Sequence, residues 1–182
     1  MHETDEEVAG RVKRGDREAF GILIERYEEK LTRYARRFLF YDDTGTDLVQ
    51  DVFIKAYVSI NSFDTGKRFS PWIYRIAHNE FINELKRKKK SAVPFFNPDT
   101  IFPHPVAPET ADKYARDEEA REMLDTALEK LEVKYREPLV LYFFEEMSYR
   151  DIADVLRIPI STVGVRISRG KEQLRSMSNH LL

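Results

Sequence analysis

Two arginines near the end of the chain have the spacing of a helix that could read DNA. Arg166 and Arg169 lie in a segment where Val163, Ile167 and Leu174 recur at helical spacing and leave both arginines on an outer flank. An arginine guanidinium can donate two hydrogen bonds to O6 and N7 of guanine, or it can bind phosphate oxygens. The residues of this segment that we predict to contact duplex DNA are Ser161, Thr162, Val165, Arg166, Arg169 and Lys171.

The residues before these arginines predict the element that presents them. Ser148 followed by Asp151 is the cap-plus-acid start of a helix, and Pro159 ends that helix after a few turns. Ser161 and Thr162 can then cap a second helix. Two short helices joined by a tight turn, the second of them basic, indicate a helix-turn-helix.

A second basic segment, residues 67–90, carries a net charge of +6 and contains aromatic rings between its cations. The rings are Phe69, Trp72, Tyr74 and Phe81. Cations and rings together suit unpaired bases, since stacking contributes roughly 1–3 kcal/mol per base. Helical spacing predicts that about half of these rings lie in the core, so strand binding and simple packing remain equally supported.

Two carboxylates, Asp47 and Asp51, lie one helical turn apart and could in principle hold a divalent metal with Asp42 and Asp43. A carboxylate-bridged di-iron bundle needs Glu-x-x-His pairs, and none of the four histidines has a glutamate three residues before it. We therefore expect no metal site or other cofactor, and interpret the pair as a helix cap and an acidic patch that faces a partner.

Length and composition allow one medium globular domain or two small ones. The 182 residues are 42% hydrophobic and 34% charged, and there is no cysteine to form a disulfide or a thiolate metal site. The acidic start lacks a signal-peptide pattern, and no apolar run approaches the roughly 18 residues of a membrane span. We expect a cytoplasmic protein without membrane insertion.

The charge and proline patterns divide the chain. Five of the eight prolines fall between Ser91 and Pro108, which predicts a linker, because proline cannot continue a helix. The apolar patterns on both sides are helical, so the fold class is all-α. We predict an N-terminal tail over 1–15, a helical domain over 16–90, the linker over 91–114 and a helix-turn-helix domain over 115–182. The net charge of −2 conceals basic islands over 67–90 and 148–182.

Three sequence segments together resemble a known family, the extracytoplasmic-function (ECF) sigma factors of bacterial RNA polymerase. Residues 47–57, DLVQDVFIKAY, are similar to region 2.2, which binds the clamp helices of the polymerase β′ subunit. Residues 63–90, centred on FSPWIYRIAHN, resemble regions 2.3 and 2.4, which melt and read the −10 promoter element. Residues 131–175 resemble region 4, which binds the −35 element and the β flap. The likeness spans about residues 16–90 and 119–176.

The resemblance implies a role for individual residues. The residues implied to bind core polymerase are Asp47, Leu48, Gln50, Asp51, Phe53 and Lys55. Those implied to bind the −10 element, with a pocket for a flipped base in the 64–68 loop, are Asp64, Thr65, Lys67, Arg68, Trp72, Arg75 and Asn79. The resemblance also implies promoter DNA and core polymerase as partners, an anti-sigma factor as a further possible partner, and no catalysis by the chain itself.

Two departures from the family pattern concern promoter recognition. Gly164 and Val165 stand where the family commonly has a basic residue and then serine, and Arg157 stands where it often has glycine. Three other functions stay open on the residues alone: a stand-alone helix-turn-helix regulator, a nuclease that uses Asp47 and Asp51, and a helical adaptor. The adaptor would leave both basic islands without a role.

Overall fold

The computed structural model describes residues 3–40, 45–91 and 123–178, and their regular structure is helical. The first domain contains α1 (Asp5–Lys13), α2 (Phe20–Leu39), α3 (Gly45–Ser59), a 3₁₀ turn (Ile60–Ser62) and α4 (Phe69–Ser91). The second contains α5 (residues 123–130), α6 (Val133–Phe143), α7 (Tyr149–Leu156) and α8 (Ile160–Ser178). The prediction of an all-α fold with two helical domains is confirmed. Beyond Ser91, the predicted linker lies outside the described residues.

Helix α2 is the centre of the first domain, because its apolar residues recur on nearly one whole side. Leu23, Leu31 and Tyr34 are fully buried. Helices α1, α3 and α4 pack around this side. The Tyr34 ring lies 5.1 Å from the Phe81 ring of α4, measured between centroids, so aromatic contacts join the two longest helices.

Residues 5–13, which we assigned to an N-terminal tail, are a helix of the first domain. Thr4 and Glu7 form a reciprocal capping box at its start, and Val8 and Ala9 are fully buried against the neighbouring helices. The assignment overlooked the capping box, and the few apolar residues of α1 gave a weak periodic signal. This helix also supplies Glu6, whose carboxylate accepts a hydrogen bond from the Phe69 N–H at the start of α4.

Three helices begin earlier than their local signals predict. Helix α4 starts before Ser70, and α8 starts before Ser161, so neither serine stands outside its helix as a cap. Pro138, which we took as the start of a helix, lies inside α6. Burial of Tyr135, Leu139 and the residues around them offsets the hydrogen bond that the proline cannot make. The Ser148 cap of α7 is as predicted, since its hydroxyl accepts from the Asp151 N–H at 3.1 Å.

The two domains share one hydrophobic core in this structure. Helix α6 packs on α2, and α7 packs on α4. Leu139 and Val140 of α6 belong to the same buried cluster as the core residues of α2 and α4. Within the second domain, Gly170 permits the close approach of α8 to α6, because a Cβ there would lie 2.7 Å from Leu139 Cδ1.

Two turns of the second domain are strained, which gives a prediction about stability. Glu146 and Arg157 have left-handed φ values of 52° and 53°, where a Cβ costs about 1–2 kcal/mol. Glycine relieves this strain but loses more conformational entropy on folding, which offsets part of the gain. Glu146→Gly and Arg157→Gly should therefore each raise the free energy of unfolding by about 0.5–1 kcal/mol. Urea unfolding measures this. Glu172→Gly, in an exposed part of α8, should instead lower it by about 1 kcal/mol. A loss at both turn positions would contradict the assigned strain.

Candidate nucleic-acid and partner interfaces

Helix α8 has one side in the core and the other exposed, and the predicted duplex contacts lie around the exposed side. Ser161, Arg169 and Lys171 are exposed, and Val165 is 50% exposed. Thr162 and Arg166 are partly buried at the flanks. The buried stripe of Val163 and Ile167 holds the helix against α6 and α7. Thr162, Val165, Arg166 and Arg169 therefore share one flank of the helix, with apolar and cationic character, and Lys171 lies on the other flank.

Gly164, one of the departures from the family pattern, lies under an aromatic ring. A Cβ at Gly164 would lie 3.5 Å from Cε2 of Tyr149, which is an ordinary contact distance. Tyr149 also packs on Tyr142, with their ring centroids 5.2 Å apart. Tyr149 therefore covers the start of α8 at Gly164, and Val165, the next residue, is half exposed as an apolar group.

The loop before α4 has its own internal structure. The Asp64 carboxylate accepts from the Gly66 N–H at 3.0 Å, and the Asp64 carbonyl accepts from the Lys67 N–H at 2.9 Å. Lys13 of α1 anchors the loop by donating to the Phe63 carbonyl at 2.6 Å. These bonds fix the turn and leave the side chains of Asp64, Thr65 and Lys67 exposed, as a binding loop requires.

The aromatic rings of the second basic segment are mostly part of the core. Phe69, Tyr74 and Phe81 are at most 2% exposed. Only Trp72 of these four rings is partly exposed, and it packs on Phe63 and Phe69 at 5.2 and 5.4 Å between centroids. A continuous stacking surface is therefore absent from this part of the structure. The surface retains one partly exposed ring, the cations and the exposed Asn79.

Helix α3 presents an outer face with charged and apolar parts. Asp47, Gln50, Asp51 and Lys55 are exposed, whereas Leu48 is partly buried. Lys55 makes an ion pair with Glu80 of α4. With Asp42 and Asp43 outside the described residues, no group of three or more potential metal ligands occurs in the part of the chain that is described.

Phe53 corrects one residue assignment on α3. It is only 7% exposed, and its ring packs edge-on against Phe20 at 6.4 Å, so it is a core residue and not a surface contact. Ile54 and Val58, which the sequence reasoning did not select, are 61% and 76% exposed on the same helix. The sequence could have indicated them, because these two apolar residues lie four positions apart on α3 and outside the apolar stripe that packs in the core.

Two buried glutamates that the sequence reasoning also missed join the domains. Glu137 of α6 accepts from the Tyr34 hydroxyl and pairs with Nδ1 of His78, each at 2.5 Å. Glu145 accepts from the Tyr74 hydroxyl at 2.5 Å and from Nε of Arg33 at 3.3 Å. Their side chains are 5% and 1% exposed. Each carboxylate thus lies between the domains and bonds to residues of the first.

Burial changes the acidity of this interface. Burial raises the pKa of Glu145, against the opposing effect of hydrogen bonds from Tyr74 and Arg33. Burial and the nearby glutamate charges raise the pKa of Tyr34 and of Tyr74 well above their ordinary value. Tyr27, which donates to Asp5 at 2.6 Å, also has a raised pKa because it is buried. The neutral hydroxyls of Tyr34 and Tyr74 and their glutamate acceptors therefore stabilise the contact between the domains.

These raised tyrosine pKa values predict a loss of stability in alkali. A group whose pKa is higher in the folded state contributes stability that is complete below its unfolded pKa, about 10 for tyrosine. Above that pH, each buried tyrosine should lower the free energy of unfolding by up to about 1.4 kcal/mol per pH unit. Urea titrations from about pH 9 to about pH 11 measure the slope.

A variant separates the contribution of the interface from that of the rest of the protein. Of the three buried tyrosines with a raised pKa, only Tyr27 remains in Tyr34→Phe/Tyr74→Phe. The decrease in the free energy of unfolding per pH unit that these tyrosines cause should therefore fall to about a third. Phenolate absorbance measures the ionisation of the tyrosines directly. Ionisation of all nine tyrosines near their ordinary pKa, while the protein remains folded, would contradict the prediction.

Comparison with known proteins identifies the family. The Sigma-70 region 2 family matches residues 23–91, and the Sigma-70 region 4 family matches residues 121–174. The ECF RNA polymerase sigma factor SigW of Bacillus subtilis is 35% identical over 179 residues, which cover 93% of this chain and 94% of that protein. The chain belongs to the ECF sigma factors. The domains of this sigma factor are therefore region 2 and region 4, and it acts in transcription initiation.

Further relatives are similar to this sigma factor over nearly its whole length. The ECF sigma-E factor of Escherichia coli K12 is 31% identical over 177 residues, covering 94% of this chain and 92% of that protein. Among solved structures, CnrH in complex with the cytosolic domain of CnrY superposes with a TM-score of 0.74 at 28% identity, covering 98% of this chain and 99% of that one. No helix within the described residues is long and apolar enough to cross a bilayer.

Proposed function

We propose that the sigma factor binds core RNA polymerase through the outer face of α3. The observation that carries the proposal is the exposure of Asp47 and Asp51 on one helix within the segment that matches region 2. Two carboxylates on this face would attract a basic clamp surface and orient the encounter. Leu48, Ile54 and Val58 would supply the apolar contacts beside them. Catalysis would belong to the polymerase, and the sigma factor would act in the cytoplasm with it.

The 64–68 loop and α4 would bind the −10 element. The loop is fixed by its own hydrogen bonds, while Thr65, Lys67 and Asn79 remain exposed to receive a DNA strand. Arg68 and Arg75 would contact phosphates, and Trp72 would offer its partly exposed edge to a base. Because the other rings are buried, we propose that a single base is held at the loop, rather than a stack of bases along α4.

Helix α8 would enter the major groove at the −35 element. Arg169 is exposed at one flank of the helix, and Val165 is 50% exposed beside it. An apolar side chain in the major groove matches the methyl group of thymine. We therefore propose that Val165 selects thymine at the position where the family pattern has a polar residue. The exposed rings of Tyr142 and Phe143 on α6 would be available to the β flap.

An anti-sigma factor is a further partner that we propose for the sigma factor. The structure of CnrH, at 28% identity, is a complex with the cytosolic domain of a second protein, CnrY. The likeness covers both domains, so a binding partner of the same kind would find the corresponding surfaces in this chain.

Association with polymerase and promoter-dependent transcription test the proposal together. The purified protein is mixed with bacterial core RNA polymerase, passed through a gel-filtration column, and then used for run-off transcription on sheared genomic DNA. We expect co-elution and new discrete transcripts whose upstream sequences define the promoter. Tight duplex binding by the protein alone, without polymerase association, would overturn the proposal.

Arg169→Ala gives a prediction about −35 recognition. The variant should bind the promoter duplex about 1–3 kcal/mol more weakly if Arg169 reads a base, with little change on unrelated DNA. Fluorescence anisotropy at fixed salt measures both affinities. Arg169→Lys keeps the charge and loses the planar fork, so it should rescue a phosphate contact but not a base contact. An equal loss on all sequences would assign Arg169 to the phosphate backbone.

A further inference from the structure

Two arginines that we propose for −10 binding are already engaged by region 4. Nη1 of Arg68 donates to the Asp151 carboxylate of α7 at 2.6 Å. Nε of Arg75 donates to the Asp154 carbonyl of the same helix at 2.9 Å, and one of its terminal nitrogens donates there too. Oxygen atoms of α7 thus compete with phosphate oxygens for the donors of both guanidinium groups.

The polar contacts of α7 with Arg68 and Arg75 are too exposed to hold the domains together by themselves. The Arg68 side chain is 68% exposed, and ion pairs of that kind contribute little to stability. The closure depends on the buried groups beneath it, where Glu137 and Glu145 of region 4 accept from the Tyr34 and Tyr74 hydroxyls of region 2. The apolar core that passes between the domains surrounds both tyrosines.

The −35 surface, in contrast, is free in the same arrangement. Among the described residues, the helices that pack closely on α8 are α6 and α7, both of region 4. Val165 and Arg169 remain exposed. The closed arrangement therefore engages Arg68 and Arg75 of the proposed −10 surface of region 2 and leaves the proposed −35 surface of region 4 open.

We propose that region 4 is an internal inhibitor of region 2 in the free sigma factor. Helix α7 bonds to Arg68 and Arg75 of the proposed −10 surface, so the −10 strand binds at full affinity only after the domains separate, whereas −35 duplex binding needs no separation. The inference rests on the proposed function, since it regulates the −10 surface named there. Binding to core polymerase would favour the separated form.

The test uses the full chain and a variant that weakens only the contact between domains. Tyr34→Phe/Tyr74→Phe keeps both rings in the core and removes two donors to buried carboxylates, and neither tyrosine belongs to a proposed DNA or polymerase surface. Because the chain has no cysteine, Glu28→Cys/Glu172→Cys allows two dyes to be attached at exposed positions of α2 and α8. Energy transfer between the dyes then reports domain separation in the parent and the variant.

The DNA probes are the −10 single strand and the −35 duplex of a promoter found by run-off transcription. We expect a short interdomain distance in the parent, a longer one in the variant, and about tenfold or greater tightening of strand binding by the variant, with unchanged −35 duplex affinity. If the double substitution leaves the distance short, Glu137→Ala/Glu145→Ala is measured as the stronger opening variant. An open parent, or an opened variant without tighter strand binding, would overturn the inference. Failure of polymerase association would instead overturn the proposed function.

Discussion

Asp51→Arg should abolish stable association with core RNA polymerase. Asp51 is exposed near the middle of α3, where a positive charge would face the basic clamp surface that the proposal assigns to the partner. A like-charge contact at an interface costs several kcal/mol, which corresponds to about a hundredfold or greater loss of affinity. The side chain makes no contribution to the core, so the fold and thermal stability should be retained.

Gel filtration with core polymerase measures the loss, and circular dichroism measures the fold. The matched control is Glu28→Arg, which reverses an exposed carboxylate on α2 and should leave binding within about twofold of the parent. Unchanged binding by Asp51→Arg would remove α3 from the proposed interface. Equal losses in both variants would indicate a general effect of net charge rather than a contact at Asp51.

Glu145→Ala should give the second large effect, a decrease of about 2–4 kcal/mol in the free energy of unfolding. The Glu145 side chain is 1% exposed, and its removal leaves the buried Tyr74 hydroxyl without its acceptor and Arg33 with only the exposed Glu29 as an ion-pair partner, at 3.9 Å. Urea unfolding at neutral pH measures the change. Glu129→Ala, at an exposed position of α5, is the control and should change stability by less than about 0.5 kcal/mol.

The conservative variant Glu145→Gln distinguishes charge from hydrogen bonding. Burial raises the pKa of Glu145, so the protein interior disfavours its charge in spite of Arg33. An amide keeps an acceptor for Tyr74, and we expect a loss of only about 1 kcal/mol. A loss as large as that of Glu145→Ala would show that the ion pair with Arg33 is the stabilising interaction.

Local signals predicted elements better than boundaries or surfaces. Ser148 marked the start of α7 correctly, because its capping bond involves only residues three positions apart. Phe53 was assigned to a partner face although it belongs to the core, since residues on adjoining sides of one helix differ little in sequence pattern. Phe69, Tyr74 and Phe81 show the same ambiguity, because the sequence does not tell which rings a neighbouring helix covers.

The amino-acid sequence by itself determined the all-α class, the helix-turn-helix and the likeness to the sigma family, since each depends on periodicity, caps and motifs within one segment. The tertiary structure decided how the domains meet. Glu137 lies 103 residues from Tyr34 in the chain, and Glu145 lies 71 residues from Tyr74. Nothing in either local pattern marks these partners, because a buried carboxylate is stabilised by the groups that folding brings to it and not by its neighbours in sequence.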